Sequence, residues 1–173
     1  PRYLVGVDEG ESLSTFPVTK VSVPVDRELV VKTMQFNPGD SIVSELKLDI
    51  KKSFIQKNDL AILALIAANK WQRPIYFTST QELEELGLEK YTRMEGVSYR
   101  LVPVESSSQQ GGIARDISYK NIMEKFGYGN ANKPGIFYDE ENRRHINSIR
   151  AAHAFLGLSL ADANKLDSAR KIL

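Results

Sequence analysis

Apolar and polar positions along this chain change period several times, and each change predicts an element. From Phe16 to Val25, Thr19, Val21, Val23 and Val25 alternate with Lys20, Ser22 and Pro24, which predicts a half-buried strand with Pro24 at an edge. Leu46, Leu48 and Ile50 alternate with Lys47, Asp49 and Lys51 as a second strand. Leu60 to Ala68 is an unbroken apolar run that predicts a helix over Asp59–Lys70, capped by Asn58 and, being apolar on every side, buried on every side. Pro74 requires the helix to end before it, and Ile75 to Thr78 has strand composition. Ser79 and Glu82 match a capping box, Leu83 and Leu86 share a face of the short helix that follows, and Gly87 stops it. Val97 to Val104 reads as a strand, with Val97, Tyr99 and Leu101 opposite Ser98 and Arg100.

The flanking segments carry shorter signals. Tyr3 to Val7 is an apolar edge-strand candidate followed by a turn at Asp8-Glu9-Gly10, and Asp26 can cap a short helix through Leu29 to Val31. Asn37 to Asp40 is a turn, Ser106 to Gly112 a low-complexity loop expected to be mobile, and Gly127 to Gly135 a second irregular connection. Tyr119, Ile122, Met123 and Phe126 fit one helical face. Asp139 caps a long helix with the stripe Ile146, Ile149, His153, Leu156 and Leu160, which breaks at Asn164-Lys165 before a last helix to Leu173. The expected fold is mixed α/β: a small sheet with the buried helix packed on it over residues 1–112, a helix and irregular linker over 113–138, and a helical extension over 139–173. Leu156, Gly157, Leu160 and Ala169 sit at the spacing of a tetratricopeptide repeat, which that extension resembles, with Asn164 in place of the usual glycine. One repeat cannot bury its own apolar face, so further helical repeats are expected downstream.

Composition narrows the function classes. The 173 residues carry 23 basic and 22 acidic side chains, interspersed and without a basic stripe, which argues against a nucleic-acid partner. There is no cysteine, so disulfides and thiol chemistry are excluded. The longest apolar run is far short of the roughly 20 residues a membrane span needs. The chain opens abruptly at Pro1 and stops inside a helix, and is read as a piece of something longer.

Candidate chemistry is sparse. His145 and His153 are the only histidines, and neither has an acidic or cysteine partner at metal-ligand spacing, so no metal and no cofactor is expected. No serine stands in a nucleophile elbow, and Gly127 to Gly129 follows a helix rather than a strand, which disfavours a phosphate loop. Trp71, Arg73, Tyr76, Glu95, Tyr99 and Arg100 form a candidate glycan-binding set, because aromatic faces stack on pyranose rings while charged groups bond hydroxyls. The alternative is that Trp71 and Tyr76 are core and that Arg73 or Arg100 pairs with Glu95.

Taken in order, Phe16 to Lys20 with Val23 to Asp26, Lys57 to Leu60, Trp71 to Phe77, Leu88 to Tyr91 with Glu95-Gly96, Tyr99 to Val104, Phe126 to Asn130 and Asp139 to Arg144 resemble one family. It comprises large bacterial multi-pass membrane proteins of unknown function related to eukaryotic transmembrane protein O-mannosyltransferases. The resemblance implies the soluble region after the last span, running into tetratricopeptide repeats on the extracytoplasmic, periplasmic face. It supplies no catalytic residue, since the acidic groups of sugar transfer belong to the membrane part. The expectation is a non-catalytic accessory domain, partnered by the membrane part of its own chain and by an acceptor protein or glycan. A carbohydrate-binding module and a small free-standing enzyme are the alternatives.

Overall fold

The computed structural model describes residues 19–34, 36–37, 39–52, 54–105, 112–131 and 133–172. The strand expected at Tyr3 to Val7, the turn after it, and residues 106–111 of the expected loop lie outside them. The fold is mixed α/β, and the chain divides into two compact units: Pro1–Arg93 with Tyr99–Gly112, and Met94–Ser98 with Ile113–Leu173.

In the first unit, β1 (Lys20–Pro24) pairs antiparallel with β2 (Glu45–Asp49), Val21 opposite Leu48 and Val23 opposite Leu46. The alternation read from the sequence is realised: Val23, Leu46 and Leu48 are buried while Lys20, Ser22 and Lys47 stay at the surface or partly covered. The helix α1 (Arg27–Thr33) starts where Asp26 Oδ1 accepts from the Leu29 N–H at 3.0 Å. After α2 (Lys57–Asn69) come β3 (Tyr76–Phe77) and α3 (Gln81–Glu85). A 3-10 turn at Glu89–Tyr91 leads into β4 (Thr92–Met94), and β5 (Tyr99–Leu101) pairs with β3, Tyr76 opposite Arg100. The core joins Val23, Val30, Leu46, Leu48, Ile66, Leu83, Leu86, Leu88, Tyr91 and Leu101, each fully buried aliphatic side chain contributing about 1.5–3 kcal/mol. Tyr91 accepts at its hydroxyl from the Lys47 N–H (3.0 Å), so its polar end is satisfied inside that core.

Two expectations about α2 are corrected. Its N-cap is Gln56, not Asn58: Asp59 reaches back to accept from the Gln56 N–H at 2.9 Å. The helix is also not enclosed. Only Asp59 and Ile66 are buried, and Leu65 is 56% exposed. The reason lies in side-chain size: Ala61, Ala64, Ala67 and Ala68 make up much of the outer surface, and a methyl group presents too little apolar area to demand cover.

Asp59 is fully buried as a charge, held by the Lys52 ammonium at 2.9 and 3.0 Å, and Lys52 also meets Glu85 at 2.7 Å. Gly87, at φ +68°, closes α3 against β2: a Cβ there would lie 2.6 Å from the Asp49 carbonyl oxygen, so glycine is required on two counts.

The strand β6 (Gly112–Ile113) leads into the second unit, where the Ala114 N–H donates to the Met94 carbonyl at 3.0 Å. Gly112, expected in a mobile loop, is thus strand. The strand order is β3-β5-β4-β6. The helix α4 (Arg115–Lys120) widens into a π turn at Asn121–Lys125, which rotates the predicted face: Ile122 is buried, but Met123 is 43% exposed and Ser118 takes the inner place. The long helix α5 (Glu140–Asp162) begins as expected, with Asp139 Oδ1 accepting from the Asn142 N–H at 2.8 Å. It ends at Asn164, φ +58°, where Asn164 N–H bonds Ala161 O and Lys165 N–H bonds Leu160 O, and α6 (Leu166–Ile172) follows. Leu156, Gly157, Leu160 and Ala169 are all buried.

Replacing Asp59 with alanine strands the Lys52 ammonium and removes the cap, and should lower stability by about 3 kcal/mol in a urea titration. The carboxylates of Glu85 and Asp59 hold the Lys52 ammonium above the usual lysine value of 10.5. A raised value contributes stability that is complete below pH 10.5 and is lost as pH rises through the folded-state value. The stability difference between the native chain and Lys52→Met should therefore shrink in alkaline solution.

Candidate functional site

The six residues of the glycan-binding set are not brought together as one surface. Trp71 is 5% exposed, packed in the core of the first unit with its indole N–H donating to the Pro24 carbonyl at 2.9 Å. Lys70 and Trp71 both have positive φ, a tight reversal at the end of α2 that turns the indole inward. It offers no face for stacking. Arg73 is exposed, and its backbone is clasped by Asn69, whose Oδ1 accepts from Arg73 N–H (3.2 Å) and whose Nδ2 donates to Arg73 O (2.7 Å).

Tyr76 and Arg100 do meet. They are cross-strand neighbours on β3 and β5, the guanidinium carbon lies 5.9 Å from the Tyr76 ring centroid, and Arg100 Nη2 donates to the Thr33 carbonyl at 3.3 Å. Tyr76 keeps 45% of its surface exposed, while Tyr99, next in register opposite Phe77, is half-buried. Glu95 belongs to the second unit, where it is buried; its N–H donates to Ser98 O at 2.9 Å and its carbonyl accepts from Asn121 Nδ2 at 3.2 Å.

Arg93 and Asp40 form a charge pair in the first unit that no pattern in the sequence announces. Both are largely buried and bond as a two-pronged pair, Nη1 to Oδ2 at 2.8 Å and Nη2 to Oδ1 at 2.9 Å. No sequence signal links positions so far apart.

The second unit holds a cleft of about 660 Å³ against α5. Asn142, His145, Ile146, Ile149, Arg150 and His153 follow one another at helical spacing along its floor. The opposite wall comes from the 126–138 connection. Its turn has positive φ at Gly129 and Asn130, with Ala131 N–H bonded to Tyr128 O at 2.8 Å, and so folds Tyr128 back over α5. Phe126 meets Tyr128 edge-to-face, centroids 5.1 Å apart. His153 Nδ1 bonds the Ile149 carbonyl at 2.8 Å. A carbonyl only accepts, so Nδ1 carries a proton, and in the neutral ring Nε2 then accepts from the Tyr128 hydroxyl at 2.8 Å. Tyr138 also lines the cleft, with a buried hydroxyl that has no hydrogen-bond partner among the described residues. The spacing Asn142, His145, Ile149, Arg150, His153 was readable as a helix face; its aromatic wall was not. Among the described residues no three His, Cys, Asp or Glu side chains group as metal ligands. No described helix is long and apolar enough to cross a membrane.

A family model described as TMEM260-associated domain 2 matches residues 1–121. No curated protein and no solved structure matches the chain.

Trp71→Phe should cost about 1 kcal/mol by removing the indole donor from Pro24 O, whereas Tyr76→Ala should change stability by less than about 0.5 kcal/mol. Chemical denaturation of the two variants distinguishes a core ring from a surface ring.

Proposed function

The chain belongs to the TMEM260-associated domain 2 family, whose model covers residues 1–121, and on that footing we propose that it is a non-catalytic accessory domain of a larger membrane-embedded protein of the TMEM260 type. It sits on the extracytoplasmic, periplasmic side, beside a glycosyltransferase-like membrane part related to protein O-mannosyltransferases, and positions the acceptor protein or glycan. The family match is the observation that carries this reading. The buried charges of the first unit agree with it: Asp59 with Lys52, and Arg93 with Asp40, are engaged in ion pairs within the fold. In the second unit, Phe155, Leu158 and Leu166 are exposed on α5 and α6 (38%, 63% and 50%), which supports a further helical repeat packing there, in the manner of tetratricopeptide arrays.

Carbohydrate binding by the first unit is the second reading, and the exposed Tyr76 ring with Arg100 beside it is the observation in its favour. The purified chain, incubated with lipid-linked or nucleotide-linked sugar donors and an acceptor peptide, should release and transfer no sugar. Turnover by the chain alone would overturn the accessory reading. On a glycan array, binding lost in Tyr76→Ala would replace it with the second.

A further inference from the structure

We propose that the cleft on α5 binds a carboxylate carried on an aromatic or branched aliphatic body. All of its lining residues lie between 126 and 172, beyond the segment matched by the family, so nothing in that match assigns this site. Its volume of about 660 Å³ falls within the range of small-ligand clefts. The rings of Phe126 and Tyr128 and the side chains of Ile146 and Ile149 supply an apolar lining for the ligand body.

Charge decides the remainder. No carboxylate lines the cleft among the described residues, whereas Arg150 does, exposed and in no ion pair among them. Of the other polar groups, Asn142 Nδ2 donates to Asp139 Oδ1 at 2.9 Å and His153 is bonded at both nitrogens, while His145 is exposed with Nε2 3.6 Å from Glu141 Oε1. Arg150 is the permanently charged group left to meet a ligand. One planar guanidinium matches the two oxygens of a monoanionic carboxylate, and would leave the second charge of a phosphate uncompensated. The Tyr138 hydroxyl beside the cleft is closed off and has no partner among the described residues, and a turn of the ring on ligand entry would give it a hydrogen bond to an acceptor on the same ligand. The carboxylate could be that of a free acid or of an acidic residue in a peptide, and the experiment separates the two.

The chain is titrated, with NMR detection, with N-acetylphenylalanine, with N-acetylphenylalaninamide, and with the blocked dipeptide acetyl-Phe-Asp-amide. Saturable shifts are expected at Tyr128, Tyr138 and Ile149, with the amide bound about tenfold more weakly than an acid. Arg150→Gln, an exposed substitution, should reduce the affinity of each acid to that of the amide while leaving the rest of the spectrum in place. Tighter binding of the dipeptide assigns a peptide ligand, and tighter binding of N-acetylphenylalanine a free acid. Equal affinity for acid and amide, indifference to Arg150→Gln, or shifts away from α5 would overturn the proposal.

Discussion

A single carboxylate with no exposed surface governs the first unit. Asp59 is tolerable in the interior only because Lys52 and the Gln56 N–H satisfy it, and Lys52 in turn reaches Glu85 on α3. That cluster ties the end of β2, the start of α2 and the end of α3 to one place. Gly87, pressed onto the Asp49 backbone, allows the end of α3 to approach β2 so closely. A buried ion pair adds little net stability compared with apolar packing, but it penalises every arrangement that separates its members. The start of α2 and the end of α3 are the parts of the chain that this penalty holds beside the segment after β2.

The second buried pair, Arg93 with Asp40, acts in the same way on the loop between α1 and β2. At the surface of the first unit, the Tyr76 ring with Arg100 beside it is the accessible aromatic of the expected glycan-binding set. The second unit has a different character. Its long helix carries a polar and aromatic face along the cleft and a different, apolar stripe at Ala152, Leu156 and Leu160 that α6 helps to bury. One helix thus serves packing and recognition on separate faces, which the 3.6-residue period permits over 23 residues.

Local signals in the sequence are legible where the deciding physics is local. Asp26 and Asp139 cap the helices that follow them, because a side-chain oxygen three residues before an N–H needs no tertiary help. Gly87 and Asn164 stop helices because few other residues tolerate positive φ. The alternation of Leu46 and Leu48 with Lys47 named the inner face of β2 correctly. Trp71 was harder: its residue type suits either a core or a sugar platform, and only the reversal at Lys70-Trp71 and the bond to Pro24 place it inside.

The mixed α/β class, the caps at Asp26 and Asp139, the helix stops at Gly87 and Asn164 and the inner faces of β1 and β2 were legible in the residues alone, since these follow from short-range sterics and periodicity. Tertiary structure alone decided what covers what. It left the outer side of α2 uncovered, because alanine area is too small to require a partner, and it shifted the α4 face through a π turn that no residue pattern announces. It also joined Arg93 to Asp40 and folded Tyr128 and Tyr138 over α5, contacts between residues whose separation along the chain carries no periodic signal. Long-range pairing depends on the summed packing of the chain, and that sum is not contained in any window of residues.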